Sequence, residues 1–229
     1  MDRIDVIYEM KDDNLNLPKY IEFSSLKQKE KSEIIEKLSF NEKTYIRKWI
    51  NEIDKRNLYK RKTNCHGKKH AGNVMLFAFL IAKFENIKEN INLLVESAMY
   101  HDEGRENDDD IRHGLKSSII AQDSLKDKYS SSDLRIISAT ISFHDERTTG
   151  FDIKKNEEIG FNNVSSYFNL TKNEKEKARV IGNILKDADA LDRTRFESEY
   201  ILDERYLRTE SAKTLMKLAY YLNRNYLEK

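Results

Sequence analysis

Leu93-Leu94-Val95-Glu96-Ser97-Ala98-Met99-Tyr100-His101-Asp102-Glu103-Gly104-Arg105 is the stretch whose reading sets the fold. It begins as an apolar helix, with Leu94, Ala98 and His101 on one stripe at the helical period. It ends in polar loop chemistry, and an imidazole followed at once by a carboxylate stands where the apolar face stops. Adjacent helical residues point about 100° apart. Both can therefore reach one point only from a helix end or a distorted turn, and Gly104 permits such an ending. A buried imidazole or carboxylate is costly unless something binds it. A metal ion is the simplest such partner, because it takes imidazole nitrogen and carboxylate oxygen together.

Outward from this stretch the pattern recurs. The chain has five histidines, at His66, His70, His101, His113 and His144. His70, Val74, Phe77, Ala78 and Ile81 share one face of a helix expected from near His66 or His70 to Phe84. His113 follows the acidic loop 106–110 and opens a helix to about Lys126. Ser130 to Asp133 has capping chemistry, and the helix behind it carries Ile137, Thr140, Ile141 and His144. Thr171 and Glu174 fit a capping box. Their helix carries Val180, Ile184 and Ala188 into Asp187-Ala188-Asp189-Ala190-Leu191-Asp192. In this order the histidines and aspartates read as one site assembled from five helices.

The remaining stretches are expected to be helical too, over 25–37, 41–57 and about 209–225. Residues 145–170 read as a long loop with at most a short helix. The basic run 55–62 reads as a solvated helix end with cations near its C-terminus. There is no convincing strand and no repeat. The fold class is thus all-α: a helical extension over 1–60 packed on a core over 61–229.

Composition agrees. There is one proline and there are seven glycines, which suits helices with few tight turns. Charged residues make up 35% of the chain, yet the net charge is only +1. No global field draws it to nucleic acid or to a membrane surface. The longest apolar run, 74–82, is far short of a membrane span. The single cysteine, Cys65, allows no internal disulfide and suits a reducing compartment. The start of the sequence does not read as a signal peptide, and a cytoplasmic protein is expected.

Five ordered pieces then carry a family resemblance. They are His66-Gly67-Lys68-Lys69-His70-Ala71-Gly72-Asn73-Val74, His101-Asp102-Glu103-Gly104-Arg105, His113-Gly114-Leu115-Lys116-Ser117-Ser118, Ile141-Ser142-Phe143-His144 and Ala188-Asp189-Ala190-Leu191-Asp192. Together they resemble the HD-domain superfamily of metal-dependent phosphohydrolases over roughly residues 60–195. The resemblance implies a single helical bundle with the metal site at its centre. It implies His70, His101, Asp102 and Asp189 as ligands of a first ion. His113 and His144 match the further histidines of members that hold two ions or bind substrate phosphate, and Asp102 matches the bridging, catalytic aspartate. The chain departs from the family in having Asn73 where an arginine is frequent and Glu103 where an apolar residue is common.

The neighbours of these residues suggest supporting roles. His66 and His70, spaced i, i+4, could share one ion. Gly67 between them points to a helix start, which favours His70 as ligand and leaves His66 to contact substrate or a ligand. Arg105 suits a phosphate through its planar fork, with Lys69 a weaker candidate. Asp187 and Asp192 would stand behind the ligands. Imidazole with carboxylate suits a divalent transition metal, one or two ions of Mn, Fe, Co, Ni or Zn, and admits Mg less readily. The expected function is hydrolysis of a phosphomonoester or phosphodiester in a nucleotide or small phosphorylated metabolite. The alternatives are a di-iron oxygenase on the same fold, distinguished by selective iron binding and oxygen consumption, and a catalytically silent nucleotide-sensing module.

Overall fold

The computed structural model describes residues 48, 51–60, 66–107, 109–110, 112–146, 152–196 and 202–222. Residues 51–55 are helical, and beyond them lie α1 (Lys68–Phe84), α2 (Ile91–Tyr100), α3 (His113–Leu125), α4 (Ser131–His144), α5 (Ile153–Tyr167), α6 (Lys172–Asp192) and α7 (Glu210–Leu222). One-turn 3-10 segments lie at Arg193–Arg195 and Glu204–Tyr206. No strand occurs among the described residues. The expected helix over 25–37 and Cys65 lie outside them, as does most of the extension over 1–60.

α1 is buried on all sides from His70 to Ala82, as expected of a helix without a polar face. It packs against α2, α6 and α7. α4 packs on α2, α3, α5 and α6, burying Ile136, Ile137, Ile141 and Phe143. Each such large side chain taken fully from water contributes about 1.5–3 kcal/mol before its entropy cost. Both expected caps are present. Ser130 accepts from the Asp133 amide, and Thr171 and Glu174 form the reciprocal capping box of α6. The inward stripe of α6 is Ile181, Ile184, Leu185 and Ala188, whereas Val180 is 45% exposed.

Two expectations are corrected. Residues 145–170 contain α5, a full helix of 15 residues, rather than a loop. It was hidden because it buries only Gly160, Phe161, Val164 and Ser165, too narrow a face for a clear period. The Asp152 carboxylate caps it by accepting from the Lys155 amide. In the basic run, Arg56 is not solvated. Its Nη1 donates to buried Glu96 at 2.7 Å, and Tyr59 Oη donates to the Met99 carbonyl at 2.9 Å. These bonds fasten residues 56–59 to α2, beside the end of that helix.

Candidate metal centre

Five helix ends meet at one place. His70 lies in the first turn of α1, His101 and Asp102 just beyond α2, His113 at the start of α3, His144 at the end of α4, and Asp189 in the last turn of α6. The C-termini of α2, α4 and α6 thus bring their negative dipole ends towards the site, which favours a cation. Two glycines allow the approach. A Cβ on Gly104 would lie 2.4 Å from the Ser117 amide nitrogen, and one on Gly114 would lie 2.8 Å from Asp145 Cβ. The need for Gly104 is thus space against α3. The Gly104 amide also donates to Ser117 Oγ at 2.9 Å.

The histidines are oriented by a repeated device. His101 Nδ1 faces the Ala98 carbonyl at 2.8 Å, and His113 Nδ1 faces the Asp110 carbonyl at 2.8 Å. His144 Nδ1 meets the Ile141 carbonyl. In each case the acceptor is three residues back. A carbonyl can only accept, so Nδ1 carries the proton and the Nε2 lone pair points inward. His70 is held by a carboxylate instead, its Nδ1 lying 2.7 Å from Asp192 Oδ2. Asp192 is itself buried and takes hydrogen bonds from Asn73 Nδ2 and Arg195 Nη1.

The inward atoms are close enough to share ions. His70 Nε2 lies 3.0 Å from His101 Nε2, and His113 Nε2 lies 3.1 Å from His144 Nε2. His70 Nε2 is 3.3 Å from Asp102 Oδ2 and 3.2 Å from Asp189 Oδ1. The other oxygen, Asp102 Oδ1, is 2.8 Å from His113 Nε2 and 3.6 Å from His144 Nε2. The two Asp102 oxygens therefore face different imidazoles, Oδ1 those of His113 and His144, and Oδ2 that of His70 and, at 3.7 Å, that of His101. His66 Nδ1 lies 2.8 Å from Asp102 Oδ2. The groups His66–His70–Asp102, His70–His101–Asp189 and His101–Asp102–His144 each have ligand atoms close enough to hold a metal ion.

A divalent ion fits this donor set. Facing Nε2 lone pairs repel unless a proton or a cation lies between them, and Asp102 Oδ1 is buried with no hydrogen-bond partner. The charges show the same demand. Burial opposes a charged imidazole at His70, yet Asp102, Asp189 and Asp192 outweigh it and raise its pKa well above the ordinary value. At His101 burial wins and pushes the pKa down to about 3. The proton on His70 thus supplies positive charge that an ion would supply in its place. Burial likewise opposes charge on Asp102, but the surrounding histidines hold its pKa well below the usual range. At His113 burial lowers the pKa, Asp102 outweighs burial and raises it, and the Arg105 charge opposes the rise.

Beside the cluster opens a cavity of about 460 Å³, into which Asp102, His66 and Arg105 face. Lys60 and Lys116 add cationic groups to its wall, and Ile119 and Ile120 an apolar patch. Lys60 and Lys116 lie six and three residues from His66 and His113 in sequence, and no periodicity told that their side chains reach this cavity. Lys69 was expected here, but it is exposed and does not line this cavity. Asp187 was expected to stand behind the ligands. Its oxygens instead accept from the Arg208 and Thr209 amides and the Thr209 hydroxyl, at 2.8–3.0 Å. It lies two residues before Asp189, and about 200° of helical rotation turns it to the far side, where it anchors the start of α7. Asn73, buried against Asp192, is a supporting residue the sequence did not disclose.

No protein-family profile, curated protein or solved structure matches the chain. Among the described residues no helix is long and apolar enough to cross a membrane. The class defined by fold and site is therefore a helical protein with a buried His/Asp cluster able to hold a metal ion.

Proposed function

We propose that the chain is an HD-like, metal-dependent phosphohydrolase acting on a phosphate ester of a nucleotide or small phosphorylated metabolite. The observation that carries this reading is the convergence of the Nε2 atoms of four buried histidines on Asp102, next to a cavity with cationic groups on its wall. Bound at this cluster, a divalent transition ion such as Mn, Fe, Co, Ni or Zn would lower the pKa of a coordinated water and offset phosphoryl charge. His70, His101, Asp102 and Asp189 form one donor set, and His113, His144 and the second oxygen of Asp102 form another.

The chain's own residues supply the rest. Arg105, with Lys60 and Lys116, holds the phosphoryl oxygens and steadies the charge that grows on them. Ile119 and Ile120 exclude water from one wall and receive the apolar part of the leaving group. His66 faces both Asp102 and the cavity, where it is placed to pass a proton to the leaving oxygen. The interior site of a soluble cytoplasmic enzyme with a small substrate accounts for these features without a nucleic-acid or membrane partner.

The test is metal analysis of the purified chain, followed by phosphomonoesters and phosphodiesters assayed with Mn, Co, Ni, Mg and Zn. Hydrolysis of at least one class, dependent on added metal and absent in Asp102→Ala, is expected. Metal-independent turnover, or none with any of these ions, would refute the reading.

A further inference from the structure

The two donor sets differ in what already occupies them. At the first, His70 Nε2 meets Asp102 Oδ2 and Asp189 Oδ1, so two carboxylates converge on it. At the second, the only carboxylate oxygen among the described residues within 4 Å of both Nε2 atoms is Asp102 Oδ1, and a cation of the chain is already present. Arg105 Nη2 lies 3.0 Å from His113 Nε2, and Arg105 Nε lies 3.5 Å from Asp102 Oδ1. A guanidinium can only donate. It therefore uses the His113 lone pair that an ion would need, and its charge partly offsets that of the same carboxylate oxygen, to which its Nε makes no hydrogen bond. The Arg105 side chain is only 12% exposed, which strengthens its interaction with that oxygen.

We propose that Arg105 is a resident counter-cation of the second donor set and competes with the second ion for His113 and Asp102. The inference rests on the metal reading above and adds an order to it: the first position fills before the second. Filling the second requires the guanidinium to leave, and the adjoining cavity, whose wall it already forms, gives it room. Displaced there, it stands where a substrate phosphate would sit. One residue thereby links the number of ions held to the readiness of the substrate pocket. Ion uptake and phosphate binding should then support each other, since each favours the same outward position of one side chain.

The experiment reads binding, not turnover. The full chain, stripped with a chelator, is titrated with Mn2+ alone, and free ion is followed by electron paramagnetic resonance. Wild type should take up one equivalent tightly and a second at least about tenfold more weakly. Arg105→Gln removes the charge while keeping a polar side chain, and should tighten the second equivalent by about tenfold or more, leaving the first unchanged. Arg105→Lys keeps the charge and should remain near wild type at the second position. An unchanged first equivalent also shows that the variant is folded. A second equivalent no tighter in Arg105→Gln, or two equivalents of equal affinity in wild type, would overturn the proposal while leaving the hydrolase reading intact. Failure of wild type to bind any Mn2+ would overturn the proposal, and failure to bind Co2+ and Zn2+ as well would overturn the hydrolase reading.

Discussion

Glu96 and Asp102 lie six residues apart, along and just beyond α2, and both are buried. Their surroundings differ. Glu96 is encircled by two cations and a donor of the chain itself: Arg56 Nη1 at 2.7 Å, Lys128 Nζ at 2.5 Å and the Tyr129 hydroxyl at 3.1 Å. Asp102 is encircled by imidazoles with a single cation among the described residues, Arg105, 3.5 Å from its Oδ1, and that oxygen has no hydrogen-bond partner. A buried carboxylate that the chain neutralises fully is a fastening, here of residues 56–59 and the α3–α4 connection onto α2. One ringed by inward lone pairs has a demand left over, which a bound ion can meet. Burial alone does not separate structural charge from a functional site; the identity of the counter-charges does.

The contrast can be broken by exchanging losses. Asp102→Ala should abolish stoichiometric metal binding and metal-dependent hydrolysis while helical content by circular dichroism stays near wild type. It removes the one carboxylate shared by both donor sets. Retained activity would show that the chemistry lies elsewhere. Glu96→Gln should do the opposite. Leaving Arg56 and Lys128 without their buried partner should cost about 3 kcal/mol of unfolding free energy in urea, with metal stoichiometry per folded molecule preserved. Little change in stability would mean that the fastening is weak.

How much of this was legible in the sequence depends on the kind of information. The helical period marks which residues share a face, so His70 with Val74 and His144 with Ile141 could be placed on buried stripes. Period says nothing about which ring nitrogen points inward. That is decided by backbone carbonyls three residues back and, for His70, by Asp192. Nor does it reveal partners brought together by folding, such as Lys60 and Lys116 in the cavity wall or Arg56 on Glu96. α5 was missed because burying one narrow face leaves a weak pattern, and Asp187 was misplaced because nearness to Asp189 in sequence is opposition on a helix.

Smaller effects are expected at Arg105 and Glu174. Arg105→Ala should lower kcat/KM by about ten- to a hundredfold in the metal-loaded enzyme, the range for losing a charge-assisted hydrogen bond of about 1.5–3 kcal/mol. Unchanged kinetics would remove Arg105 from the phosphate site. Glu174 is a third carboxylate that the chain satisfies itself. Burial raises its pKa, but Arg135, Ser132 and Thr171 outweigh burial and hold it down at about 2, from 4.5. A depressed carboxylate stabilises the fold above its unfolded pKa. That contribution should be complete above about pH 4.5 and fade as pH falls towards about 2. Glu174→Gln should flatten this part of the stability profile and cost about 1 kcal/mol at neutral pH. A profile identical to wild type would exclude the group.

On this reading the buried cluster around Asp102 takes a divalent transition ion from solution. Thermal unfolding of the chelator-stripped chain, with and without a stoichiometric amount of Mn2+, tests it most directly. A native-state ligand shifts the folding equilibrium by mass action. Mn2+ should raise the Tm of wild type and of Glu96→Gln and leave that of Asp102→Ala unmoved. A wild-type Tm indifferent to Mn2+, Co2+ and Zn2+ alike, or an equal rise in Asp102→Ala, would contradict it.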